Sequence, residues 1–205
     1  MDVPMLEDKN YPAIIIEKKT GNECFLNMEP TVRLSDFWAW AYSDLVGNTE
    51  RGKLAEFIIA NAMNCADGIS GSWGSYDIHS PEEIKIEVKT SAYLQTWQQI
   101  KLSNIKFGIQ KTIAWNPETN TYSTESARQS DIYVFCVQNC KKQEELNPLD
   151  VTQWDFYPVA TKTLNAKLGN QKSVGLSKLI NIGAKKCSYK ELRSTILFMM
   201  KNKDI

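Results

Sequence analysis

The chain has 205 residues, 42% hydrophobic and 23% charged, and its 24 basic and 24 acidic side chains cancel. This is ordinary composition for a folded protein with a sizeable core, and no run approaches the roughly 20 apolar residues that span a bilayer. The opening MDVPMLEDKN is acidic and lacks the apolar stretch of a secretory signal. Five cysteines at irregular spacings make no disulfide framework, and one histidine leaves little for a Cys/His zinc site, so a cytoplasmic protein without a membrane partner is expected.

Residues 12–18, PAIIIEK, read as a short strand or an apolar strap. LSDFWAWAYSDL follows, with Ser35 as the expected N-cap and Asp36 in the first turn. Phe37, Trp38, Ala41 and Leu45 share one helical side. A second helix is expected over NTERGKLAEFIIANAMNCADG, residues 48–68, capped by Asn48 or Thr49 and ending at Gly68. It is apolar around much of its circumference, which calls for burial against a sheet. The glycine-rich DGISGSWGS at 67–75 is a turn. It is not a P-loop, because no Lys-Ser/Thr follows the glycines. SYDIHS alternates, PEE at 81–83 turns, and Ile84 to Thr90 alternates again, so a hairpin is the simplest reading. Residues 93–100 fit helix or extended chain, 105–110 look extended, and Asn116-Pro117 marks a turn. DIYVFCV at 131–137 is nearly all apolar, as suits a strand covered on both faces, and Cys136 within it reads as a small hydrophobe. VTQWDFYPVAT at 151–161 is a strand nearer an edge, since Pro158 lacks a donor. SVGLSKLINIG then precedes SYKELRSTILFMMK, where Ser188 and Glu191 form a capping-box pattern ahead of Leu192 and Ile196. The expectation is one α/β domain over residues 1–205, with a mixed sheet, a core over about 48–161 and a basic helical region over 162–205.

Divided along the chain, the charge is uneven. Residues 1–60 carry 6 basic and 10 acidic side chains, residues 61–160 carry 8 and 12, and residues 161–205 carry 10 and 2. The last stretch suits a polyanion drawn in by long-range attraction and phosphate contacts. It equally suits a solvated lysine face on terminal helices.

The strand Ile84-Lys85-Ile86-Glu87-Val88-Lys89-Thr90 commits its isoleucines and valine to a core and sets Glu87 and Lys89 on the other face, about 7 Å apart along the strand. If SYDIHS pairs with it, Tyr76 and Ile78 pack inward and Ser75, Asp77 and His79 join the charged face. Two carboxylates from neighbouring strands can share a hard divalent cation such as Mg²⁺, with the Val88 carbonyl as a further oxygen. Such a cation would activate water against a phosphate, and Lys89 would orient the hydroxide or stabilise negative charge. Glu56 lies on the same helix side as Ala60 and Met63, near Ile59. That is a costly setting for a carboxylate unless it is paired, protonated or beside a cation, and a metal-ligand role for Glu56, direct or through water, would resolve it. The alternative is a side chain that reaches out at the helix margin, beside exposed Glu50 and Arg51.

These residues resemble the PD-(D/E)xK, or restriction-endonuclease-like, superfamily. RGKLAEFI carries Glu56, SYDIHS carries Asp77 and IEVKTS carries Glu87 and Lys89, in the family's order, with Tyr76 standing where the family's name has proline. The resemblance implies a restriction-endonuclease-like αβββαβ core with a mixed central sheet and flanking helices, and residues 131–137 parallel to the motif strand. It implies Mg²⁺-dependent hydrolysis of DNA phosphodiester bonds, with Mn²⁺ able to substitute. Asp77, Glu87 and the Val88 carbonyl would hold metal, Lys89 would take the catalytic position, and Glu56 would match the helix acid of many members. Gln95, Gln98 and Gln99 follow where some relatives carry a glutamine.

Among other groups, His79 and Asp131 read as strand-end residues, and Arg128 and Gln129 as polar residues within reach of phosphate. Trp38, Trp40 and Tyr42 read as helix packing rather than a base-stacking surface. The leading expectation is a metal-dependent DNA endonuclease, restriction-type in character, acting on double-stranded DNA. Cutting both strands would favour a homodimer. The alternatives are the same fold used without cleavage, as a nucleic-acid-binding or assembly protein, and an unrelated α/β protein whose IEVK is a solvated strand face.

Overall fold

The computed structural model describes residues 14–71, 74–116 and 121–201. The opening MDVPMLEDKN, the start of the 12–18 segment and Pro117 lie outside the described residues. The chain forms two compact units, Met1–Trp40 and Ala41–Ile205.

In the first unit, residues 14–20 take no regular structure, and Ile14, Ile15 and Ile16 are exposed, so of the two readings of this segment, strand or apolar strap, the strand does not form over the described part. The Glu23 carboxylate accepts from the N–H groups of Thr20 and Gly21, closing a turn. Gly21 has φ +92°, and the Trp38 ring lies where a Cβ would go, so only glycine fits. Helix α1 (Leu34–Tyr42) starts with Asp36 accepting the Arg33 N–H at 2.7 Å. The third helical residue thus reaches back to the cap position, and Ser35 lies inside the helix rather than capping it.

In the second unit, helix α2 (Asn48–Ala62) is preceded by Gly47, whose position makes no side-chain capping bond. Asn48 does not cap it either, because its amide oxygen takes a guanidinium N–H of Arg51. The helix ends well before Gly68. Asn64 adopts φ +57°, and the N–H groups of Cys65 and Asn64 return to the carbonyls of Ala60 and Asn61, the paired bonds of a Schellman ending.

The hairpin forms as expected. Strand β1 (Ile78–His79) runs antiparallel to β2 (Lys85–Ala92), with Ile78 opposite Ile86 and His79 opposite Lys85. Its turn is closed by the Ser80 N–H on the Ile84 carbonyl, with Glu83 at φ +59°. Strand β2 then pairs in parallel with β6 (Ile132–Gln138), which pairs antiparallel with β7 (Trp154–Ala160). The sheet order β1-β2-β6-β7 leaves β7 outermost, where Pro158 costs no ladder bond. All seven residues of β6 are buried.

Between β2 and β6 the chain carries β3 (Lys106–Gly108) and a hairpin of β4 (Thr112–Asn116) and β5 (Thr121–Ala127). Among the described residues no helix lies there, so the αβββαβ order is not kept at that position. The reason is periodicity: Ile105, Phe107 and Ile109 are buried while Lys106, Gly108 and Gln110 between them are exposed, a period of two that suits a strand.

The sheet is covered on both faces. On one, Ile86, Val88, Val134 and Phe156 pack against Ile58 and Ile59 of α2 and against Leu192 and Ile196 of α5 (Tyr189–Lys201). On the other, Tyr133, Phe135 and Val159 pack against Phe107 of β3, Leu164 of α3 (Thr161–Leu168), Val174 of β8 (Ser173–Gly175) and Leu179 of α4 (Leu176–Asn181). Strand β8 pairs with β3. Half of the capping box at α5 forms: the Glu191 carboxylate accepts from the Ser188 N–H at 2.8 Å and from its hydroxyl at 2.7 Å, while the Glu191 N–H donates to the Ser188 carbonyl. The basic stretch after residue 161 thus makes α3, β8, α4 and α5. No helix among the described residues is long and apolar enough to cross a membrane.

Candidate functional site

Asp77 stands just ahead of β1. Its N–H donates to the Ile86 carbonyl at 3.1 Å, and its carboxylate accepts the Val88 N–H at 2.7 Å. The hairpin therefore anchors Asp77 to the edge of β2 by backbone and side chain together. In an extended strand the N–H and C=O of one residue leave along the same edge, so the Val88 carbonyl leaves on the Asp77 side.

Glu87 and Lys89 occupy the face of β2 that carries Tyr133 on β6, because Glu87 and Tyr133 are register partners. The Lys89 ammonium lies 2.6 Å from Glu87 Oε1, and the Ser130 hydroxyl donates to Oε2 at 3.3 Å. Burial raises the Glu87 pKa, and the Asp77 charge raises it further. Lys89 and Ser130 act against both. Two carboxylates thus share a partly desolvated corner with one ammonium. Tyr133, only 4% exposed, is pushed up to about 12 by burial first and then by Glu87, so its phenol keeps its proton at neutral pH.

Asp77, Glu87, Lys89 and Tyr133 line one cavity of ≈ 560 Å³, together with Gln129 and Lys172. A second cavity of ≈ 480 Å³ adjoins it, sharing the Gly74–Asp77 wall and Trp115. Glu56 and His79 line this second space, with Asp77 between the two. Glu56 is paired. Lys53 lies 2.7 Å from its carboxylate and the Ser70 hydroxyl donates to it at 3.4 Å, which removes the cost of its half-buried setting. The fold therefore joins Asp77 with Glu87 and Lys89, and it places Glu56 beside Asp77 in the neighbouring cavity. Among the described residues no group of three or more His, Cys, Asp or Glu side chains is arranged to hold a metal ion. The two carboxylates and the strand-edge carbonyl nonetheless form an oxygen-only set. Such a set matches the way Mg²⁺ is held, by one or two carboxylates with water and substrate oxygens completing the shell.

The remaining groups sort by their contacts. The His79 ring packs against Tyr76, and its Nε2 lies 3.1 Å from Glu83 in the hairpin turn. Tyr76 stays half-buried there, with Lys85 over its ring, instead of packing inward beside Ile78. Asp131 holds the strand ends together by accepting the Lys85 N–H. Arg128 is buried, and its guanidinium donates to the carbonyls of Ile109, Gly169 and Gln171 and to the Asn165 amide oxygen. Four of its five N–H donors are spent on the fold, which fixes Arg128 as a structural brace. Arg51 is also buried rather than exposed, donating to Val46, Asn48 and Gln95. Gln95 and Gln99 brace the loop after β2 through Ser103, and Gln98 is exposed. Trp38, Trp40 and Tyr42 are exposed to different degrees, Trp40 at 84%, so α1 buries none of its residues as packing would require.

Sequence reasoning missed Tyr133 and Lys172. Tyr133 carried one signal, a polar-tipped residue inside an otherwise apolar run, but its neighbour across the parallel register could not be read from the chain.

A family model described as Bacteriophage T4 endonuclease IV matches residues 37–178. That span holds α2, the β1–β2 hairpin, β6 and Lys172. No curated protein matches the chain, and no solved structure matches it.

Proposed function

Since the chain belongs to the bacteriophage T4 endonuclease IV family, we propose that it is a nuclease acting on DNA, hydrolysing phosphodiester bonds at the cavity of Asp77, Glu87 and Lys89. The observation that carries this reading is the hairpin, which sets Asp77 against the β2 edge and faces it with Glu87 and its ion-paired lysine. The antiparallel hairpin followed by parallel β6 supports a PD-(D/E)xK-type site, built here with β-structure where that order has a helix.

Asp77, Glu87 and the Val88 carbonyl would hold Mg²⁺, which when bound supplies an activated water and neutralises charge on the phosphate. The protein's own part is positional. Asp77 is held by the Val88 N–H, Glu87 is oriented by Ser130 and Lys89, and Lys89 stands ready to move from the carboxylate to the developing charge. Glu56 acts from the neighbouring cavity, keeping Lys53 and Ser70 beside Asp77's wall.

The test is cleavage of supercoiled, linear and single-stranded circular DNA with Mg²⁺, Mn²⁺ or chelator, beside Glu87→Ala and Lys89→Ala. Nicked or linear product from closed circles is expected only with metal. Each variant should lose about 10²- to 10⁴-fold in rate while keeping its unfolding temperature within a few degrees. Cleavage that survives both substitutions, or metal-independent DNA binding with no cleavage, would overturn the reading. The single-stranded and supercoiled arms separate strand preferences, and the order of the rate in enzyme concentration tests for a dimer.

A further inference from the structure

A phosphodiester in this cavity needs hydrogen-bond donors for its non-bridging oxygens, because a buried oxyanion without them is costly. Several side-chain donors nearby are engaged in the resting fold, and Lys172 also lines the cavity. Lys89 is held by Glu87 at 2.6 Å, the Gln129 amide donates to the Thr112 carbonyl at 3.1 Å, and the Arg128 guanidinium is spent on four oxygens of the fold. The Tyr133 hydroxyl differs. It lines the cavity, it makes no hydrogen bond with any described residue, and it stands one strand away from Glu87 in register, about 5 Å between backbones. Its ring stacks on Phe135 with centroids 5.9 Å apart and packs in the second core, so its direction is fixed.

We propose, resting on the nuclease reading, that Tyr133 is a catalytic residue whose hydroxyl donates a hydrogen bond to a non-bridging oxygen of the scissile phosphate. In the hydrolysis a water oxygen bonds to phosphorus and the bond from phosphorus to the leaving sugar oxygen breaks. One water proton passes to solvent, and the leaving sugar oxygen takes up a proton from solvent, so no proton is gained or lost by the protein. Tyr133 keeps its own proton throughout. Charge grows on the non-bridging oxygens as the fifth bond forms, so this donor contributes more to the transition state than to the bound substrate.

The experiment is single-turnover cleavage of one oligonucleotide by the full-length wild type, Tyr133→Phe and Glu87→Gln. DNA affinity and unfolding temperature are measured for each. Removing one oxyanion donor costs about 100-fold in rate, and Tyr133→Phe is expected to show that loss with affinity and unfolding temperature unchanged. A scissile phosphorothioate supplied as separate diastereomers gives a readout that packing does not move: the wild type should discriminate between them more strongly than Tyr133→Phe. A Tyr133→Phe rate equal to wild type, beside an inactive Glu87→Gln, overturns this proposal and leaves the nuclease reading standing. A loss of rate matched by an equal loss of affinity, or by a fall in unfolding temperature with unchanged diastereomer discrimination, overturns it as well. A wild type that cleaves nothing under any metal overturns both.

Discussion

At the scale of single residues, the site is in tension with the fold. Glu87 is raised because burial and the Asp77 charge outweigh the help of Lys89 and Ser130. In the unfolded chain its carboxyl ionises at the ordinary value, so between that value and the folded one the native protein holds more protons. Stability contributed by this group therefore falls as pH rises through that window and stays reduced above it. Glu87→Gln removes the buried charge, and at neutral pH it should raise the unfolding temperature while abolishing cleavage, the exchange of stability for function seen at many active sites. The Glu87-dependent part of the pH–stability profile should vanish in that variant. Adding Mg²⁺ should raise the melting temperature of the wild type and not of Glu87→Gln, because a ligand stabilises only the state that binds it. Differential scanning fluorimetry across pH, with and without metal, reads all three effects.

At the scale of elements, two devices position the cavity walls. Arg128 follows β5 and ties it to Asn165 of α3 and to the Gly169 and Gln171 carbonyls, next to Lys172 at the cavity. Arg128→Ala orphans those acceptors and should cost about 3 kcal/mol in urea unfolding. Arg128→Lys should recover little of this, since one ammonium cannot reproduce a forked guanidinium. The other device is the end of α2, where Asn64 sits in the left-handed region. Asn64→Ala should cost about 1 kcal/mol, and Asn64→Gly should cost less than Asn64→Ala or stabilise. The start of α2 at residue 48 was readable, but its cap and its end escaped the sequence, because Asn48 and Gly68 are good formal signals while Asn48 is engaged by Arg51 and the helix is closed by the Asn64 and Cys65 N–H groups. The Ser188–Glu191 cap was legible because its partners are three residues apart and need nothing from the rest of the chain.

At the scale of the molecule, zero net charge hides a division between an acidic body and a basic C-terminal stretch. That stretch reaches the cavity at Lys172. If DNA lies there, Lys172→Gln should weaken binding at low salt and reduce the slope of log affinity against log salt by about 0.7 to 0.9, one phosphate contact. Lys142→Gln is the matched control, since Lys142 is already engaged with Glu145 at 2.6 Å. Fluorescence anisotropy over a salt series checks both.

The chain by itself determined what local period and local partners decide: the hairpin, the doubly covered β6, the edge place of β7 and the charged face of β2. Alternation and apolar runs encode burial directly, so these were readable. Only the tertiary structure decided which groups share a cavity. The parallel register sets Tyr133 beside Glu87, the return of β8 brings Lys172 to the same space, and Lys53 answers the half-buried charge of Glu56. Each of these depends on contacts between residues far apart in the chain or on the exact turn of a helix, and no spacing in a single sequence records the pairing of distant strands.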